Sequence, residues 1–110
     1  MTVNFNELKE QDIRGMNGGN GTLSAKMLAD KSGKLIACRI RAGSSIGMHR
    51  HETSDDISYV LSGTGAAMCD GTEEPLSAGV CHICKKGLAH SITNTGTEDL
   101  VLFTVVVEHQ

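Results

Sequence analysis

The sequence predicts an all-β fold in a single domain, and three observations carry the prediction. Apolar residues recur with period two in short runs: in LIACRIRAG, residues 35–43, Ile36, Cys38 and Ile40 fall on one face, and ISYVLSG, residues 57–63, is rich in branched and aromatic residues. Gly, Asp, Asn and Ser punctuate these runs as turn signals. LVLFTVVV, residues 100–107, is a continuous apolar run of the kind expected where a strand is covered on both faces. At 110 residues the chain is one domain with enough length to bury a core.

Taken in order, residues 1–20 read as an N-terminal arm and a glycine-rich turn. Phe5, Leu8 and Ile13 stand among polar neighbours, a pattern that fits either one helical turn or an extended arm with apolar anchors. RGMNGGNG, residues 14–21, lacks both the P-loop Lys-Ser/Thr and the dinucleotide spacing, so it reads as a flexible turn rather than a phosphate cradle. TLSAKMLAD and LIACRIRAG, separated by the turn signal KSGK, read as paired strands. Further on, GTGAAMCDGTEEPLSAG reads as a hairpin turning at Asp70-Gly71. The terminal EHQ reads as a frayed end that leaves His109 in solvent.

Charge and cysteine usage narrow the classes of function. The net charge is -3 with both signs interspersed, so the basic footprint of a nucleic-acid binder is missing. The polar, acidic start is unlike a signal peptide, and no apolar run reaches membrane-spanning length, which points to the cytoplasm. Four cysteines in such a setting are expected to stay reduced, with Cys38 and Cys69 as small buried hydrophobes. Cys81 and Cys84 form a Cys-x-x-Cys, but on a strand residues three apart face opposite sides, so the pair is not expected to share an ion or a disulfide.

The chemistry is concentrated in GSSIGMHRHETSDDISYVLSG, residues 43–63. His49 and His51 are two apart and, on a strand, present both imidazoles to one side while Arg50 points away. The polar run ETSD can turn the chain and return the Asp56 carboxylate to the same face. Two imidazoles and a carboxylate suit a borderline divalent ion: Mn, Fe, Co, Ni or Zn. Alternation from Asp56 puts Ser58 and Val60 on the metal face and Ile57, Tyr59 and Leu61 on the opposite one.

The stretch resembles the first signature motif of the cupin superfamily, G-x5-H-x-H-x3,4-E-x6-G, with Gly43, His49, His51, Asp56 and Gly63 at the required intervals. Asp56 stands where the family usually has Glu, and the neighbouring Asp55 would break the interval to Gly63. The second motif, G-x5-P-x-G-x2-H-x3-N, is matched by GVCHICKKGLAHSITN through Gly79, Gly87, His90 and Asn94, with Lys85 at the usual Pro. Together the two motifs span residues 43–94, about half the chain.

This resemblance implies a cupin-type jelly-roll β-barrel with His49, His51, Asp56 and His90 around one divalent transition metal ion. Ile40, Ser58, Val60, His82 and Cys84 are then expected to line the pocket, with His82 either a proton shuttle or a satisfied interior histidine. The implied function is a metal-dependent enzyme of dioxygenase, decarboxylase, isomerase or lyase type acting on a small oxygen-rich metabolite. The alternative is a non-catalytic metal- or ligand-binding sensory module. Metal-free epimerase chemistry would need a tyrosine acid in the pocket, whereas the single tyrosine, Tyr59, is expected on the outer face. The surplus of apolar residues on that outer face leads to the expectation of a homodimer.

Overall fold

The computed structural model describes residues 1–109. Ten strands form two antiparallel sheets that pack face to face. The larger sheet has the order β1-β2-β3-β10-β5-β8 and the smaller β4-β9-β6-β7. The strands are β1 (Gln11–Arg14), β2 (Thr22–Asp30), β3 (Gly33–Ile40), β4 (Ser45–Arg50), β5 (Ser54–Ser62), β6 (Thr64–Cys69), β7 (Thr72–Ser77), β8 (Cys81–Cys84), β9 (Ala89–Asn94) and β10 (Leu100–Glu108). From β3 to β6 each new strand joins the opposite sheet, and the chain changes sheets again at β8, β9 and β10. That alternation is the jelly-roll path expected from the sequence. The sheets do not close into a continuous hydrogen-bonded barrel, because β1 and β8 end one sheet and β4 and β7 end the other.

Period-two burial follows the apolar pattern. Leu23, Ile40, Val60, Ala67, Ile92, Leu100 and Leu102 meet between the sheets as one core. β10 is the central strand of the larger sheet, hydrogen-bonded to β3 on one side and β5 on the other. It buries Leu100, Leu102 and Val106 inward. Its outer face is partly covered by Phe5, whose ring meets Phe103 edge-on at 5.6 Å. The N-terminal alternatives are thus both realised: Phe5–Glu7 is a single 3₁₀ turn, and Gln11–Arg14 is an edge strand on β2.

The hairpin forms as expected. Asp70 and Gly71 take φ of 49° and 80°, the left-handed pair of a type I′ turn, and Pro75 sits on β7, an edge strand that spares its missing donor. Two expectations are corrected. The glycine-rich stretch is docked rather than flexible: Met16–Gly18 forms a 3₁₀ turn, Ser45 N–H donates to the Asn20 carbonyl, and Asn20 N–H donates to Ser45 Oγ. Of the terminal residues, Glu108 and His109 are held by hydrogen bonds rather than frayed, the His109 side chain stays 44% exposed as expected, and Gln110 lies outside the described residues. Glu108 completes β10, His109 N–H donates to the Thr53 carbonyl, and the His109 ring lies 3.0 Å from an Asp55 carboxylate oxygen.

Candidate metal centre

The site is built where a strand of one sheet meets the motif strands of the other. His49 on β4 and His90 on β9 are direct cross-strand partners, and His51 follows the end of β4. Asp56 enters from β5 in the opposite sheet. Between Ile46 and His49 the register slips, so that both Ile46, opposite Ile92, and His49, opposite His90, face inward although they are three residues apart. A β-bulge makes this possible by inserting an extra residue and re-aiming the side chain that follows it. Gly47 lies in that bulge, and its lack of a side chain lets the backbone pass against Asn17 and Gly19 of the docked turn.

Ligand atoms from His49, His51, Asp56 and His90 all lie within 4.8 Å of one another. His51 Nε2 is 3.1 Å from His49 Nε2, 3.0 Å from His90 Nε2 and 2.9 Å from Asp56 Oδ2. His49 Nδ1 is 2.8 Å from the Gly47 carbonyl, which can only accept, so Nδ1 carries the proton and Nε2 of the neutral ring turns a bare lone pair inward. Burial holds His51 below its ordinary pKa of 6.5, against the opposing pull of Asp56. Burial works to raise Asp56, but the surrounding histidines His90, His51 and His49 outweigh it and hold the carboxyl below its ordinary value of 3.8. At neutral pH this gives electron pairs and an anion converging on one point. One divalent cation satisfies all four groups at once.

Asp56 is further oriented by Ser58, whose hydroxyl donates to Oδ1 at 3.3 Å while sharing a 2.8 Å hydrogen bond with Thr104 Oγ1. Asp55 turns the other way, accepting from Lys86 N–H at 2.8 Å and facing His109. The choice of Asp56 over Asp55 therefore agrees with the side-chain directions. Arg50 points away from the cluster and donates to the Gly87 carbonyl. Asn94 is structural: its amide donates to the Ile40 and Glu98 carbonyls, each at 2.8 Å.

The cluster opens onto a cavity of about 800 Å³. Its buried wall includes Leu23, Cys38, Ile92 and Leu102, with exposed Lys31, Lys34 and Glu52 also lining it. Of the residues expected to line the pocket, Ser58 does so. Ile40 and Val60 belong instead to the packed core, and Cys84 is fully buried with its thiol pushed up to about 12 by burial. His82 stands behind His90, the two rings meeting edge to edge with centroids 5.1 Å and planes 21° apart, and is 1% exposed. Alternation correctly turned these side chains inward, but inward positions deep between two sheets meet packing rather than a cavity. Cys81 is exposed while Cys84 is buried, as strand geometry requires, and all four cysteines are free. Tyr59 lies on the outer face and is exposed.

Glu74 is a residue that sequence reasoning missed. Its carboxylate lies 2.8 Å from His82 Nδ1, and His82 Nε2 lies 2.8 Å from His90 Nδ1. A signal was present: Glu74 shares an inward-facing alternation with buried Leu76 on β7, and a carboxylate at such a position needs a partner.

Residues 37–106 match the cupin domain family. An oxalate-binding protein of Thermotoga maritima is 33% identical over 113 residues, covering 97% of this chain and 93% of that protein. A solved structure described as a predicted oxalate decarboxylase, also from Thermotoga maritima, superposes with a TM-score of 0.92 at 31% identity, covering 99% of this chain and 100% of that one. KdgF from a Halomonas species shares the fold at 20% identity with a TM-score of 0.77, over 99% of this chain and 97% of that one. With the jelly-roll path and, at the motif positions, four side chains that could hold a metal ion, the family match over most of the length completes the case: the chain belongs to the cupin family.

Proposed function

We propose that this cupin holds one divalent transition metal ion through His49, His51, Asp56 and His90 and takes a small oxygen-rich metabolite, in the first instance a carboxylate, as a metal-dependent enzyme. The observation that carries the reading is the convergence of three imidazoles and one carboxylate beside a cavity with room for a small molecule. The likeness to an oxalate-binding protein supports a small acid as ligand. When bound, the ion would act as a Lewis acid toward the ligand's oxygen. The chain's own contribution is to hold four donors in place, to orient Asp56 through Ser58, and to set the carbon part of the ligand against the apolar wall.

The donor types, three imidazoles and one carboxylate, bound the metal to Mn, Fe, Co, Ni or Zn. An ion that takes more than these four ligands would keep open positions for the metabolite.

A second reading, a non-catalytic binding module, is favoured by one observation: the cluster contains no carboxylate beyond Asp56 that could serve as a general base. Elemental analysis of protein purified without an affinity tag, followed by calorimetric titration with oxalate and with 2-oxo acids of increasing chain length, tests the shared claim. Protein that takes up no divalent metal would refute it. Turnover of a bound acid would select the enzyme, and tight binding without turnover the module. We further propose a cytoplasmic homodimer, supported by the four free thiols and by the apolar outer face of the larger sheet.

A further inference from the structure

We infer that Glu74 and His82 are positioning residues that fix the tautomer of His90, so that its Nε2 is held bare toward the metal centre. The chain of contacts runs from the surface inward. Glu74 is half-exposed on the edge strand β7 and places a carboxylate oxygen 2.8 Å from Nδ1 of His82, whose side chain is wholly buried. A carboxylate only accepts, so His82 Nδ1 carries a proton and donates it. In a neutral ring the other nitrogen is then an acceptor. His82 Nε2, 2.8 Å from His90 Nδ1, therefore accepts from it, and His90 in turn is protonated on Nδ1 and bare on Nε2. That bare nitrogen is the one aimed at His51 Nε2, 3.0 Å away. One carboxylate thus sets two tautomers in series.

For a neutral His82 the alternative assignment fails at the outer end. If His90 Nδ1 were the acceptor, His82 Nε2 would have to donate, and a neutral His82 would then turn a lone pair toward the Glu74 carboxylate with no proton between them. In the assigned series each of the two contacts has one donor and one acceptor. His49 reaches the same state by a shorter route, through the Gly47 carbonyl. A hydrogen bond from the outer nitrogen of a ligating histidine raises its basicity and holds its ring, and loss of such partners costs about 10- to 100-fold in metal affinity.

The consequence for affinity rests on the metal reading above, but the tautomer assignment does not, and the experiment separates them. Long-range ¹⁵N–¹H NMR of the metal-free protein at neutral pH is expected to show protonated Nδ1 on both His82 and His90. A protonated Nε2 on His90 overturns the proposal. In Glu74→Ala, an exposed-edge change that the fold should accept, the His82 tautomer is expected to become mixed and Co(II) affinity, read from visible absorption, to fall about tenfold. Glu74→Gln, whose amide carbonyl can still accept from His82, is expected to restore the tautomers and most of the affinity. Unaltered tautomers and affinity within twofold of wild type in Glu74→Ala would also overturn it. Wild-type protein that shows the assigned tautomers yet binds no Co(II) would sustain the positioning role and sink the metal centre instead.

Discussion

At the scale of single residues, the proposed ligand set is expected to divide into a member that tolerates change and members that do not. Asp56 is one methylene shorter than the usual glutamate, yet its Oδ2 already lies 2.9 Å from His51 Nε2 because β5 brings it close. Asp56→Glu adds reach that a rotamer change can absorb, and metal affinity is expected to be kept or raised. His90→Ala deletes a whole ligand and is expected to lower affinity by more than the roughly 100-fold that loss of an outer partner can cost. A chromophoric chelator competing for the ion measures both. The adjacent Asp55 tests a different property. The Lys86 N–H and the His109 ring hold its carboxyl below its ordinary value of 3.8, so the folded pKa is the lower one. Its contribution to stability is complete above the unfolded pKa and is lost as pH falls through the folded pKa. Asp55→Asn is therefore expected to lower the urea midpoint at pH 6 and to have progressively less effect below pH 4, in matched titrations of the two proteins.

At the scale of elements, the β4 bulge explains what could and could not be read in advance. The histidine pair, the carboxylate and the second-motif histidine were legible because each is a residue type at a fixed spacing. Strand periodicity even sorted Tyr59 outward and His82 inward. The bulge itself was not legible, since a two-residue alternation does not carry from Ile46 to His49, and the hint was only Gly47 inside a strand pattern. The pairing of Glu74 with His82 and the docking of Met16–Gly18 were illegible for a related reason: both depend on which strands become neighbours, and that is a property of topology. The docked turn now yields a prediction. A methyl at Gly47 would collide with the Asn17 carbonyl, while the Gly47 carbonyl is the group that orients His49. Gly47→Ala is expected to cost about 1–3 kcal/mol, the usual range for overpacking, and to weaken metal binding as well. Urea denaturation of the metal-free protein with an unchanged slope, alongside a metal titration, would show both effects. A loss of stability with wild-type affinity would mean that the bulge is held by the ladder alone.

At the scale of the whole molecule, the outer face of the larger sheet is unequally covered. Phe5 reaches Phe103 on β10 and shields that side. Beyond it, the register sets Phe103 beside Tyr59, Val105 beside Ile57, and Ile57 beside Ile83, one apolar band from β10 across β5 to the edge strand β8. On this band Tyr59 is 46% exposed, Ile83 46% and, farther along β5, Leu61 54%. The N-terminal turn thus covers the half nearer β3 and leaves the half nearer β8 open. Scattered apolar residues need no partner, but a contiguous band is the kind of surface that a partner is expected to cover, in keeping with the proposed homodimer. A second copy is the simplest occupant, since a twofold axis through the band would bury the same residues on each subunit. A stable pairing buries roughly 800 Å² per partner, more than these three side chains alone provide, so the contact is expected to extend over the neighbouring strand edge. Sedimentation at micromolar concentration is expected to give twice the monomer mass, and the double change Leu61→Lys with Ile83→Lys to give the monomer. Metal affinity should be unmoved in that variant, because both side chains face away from the ligand cluster. A wild-type monomer would show that the band is left uncovered in solution, and a variant that remained dimeric would move the interface elsewhere on the molecule.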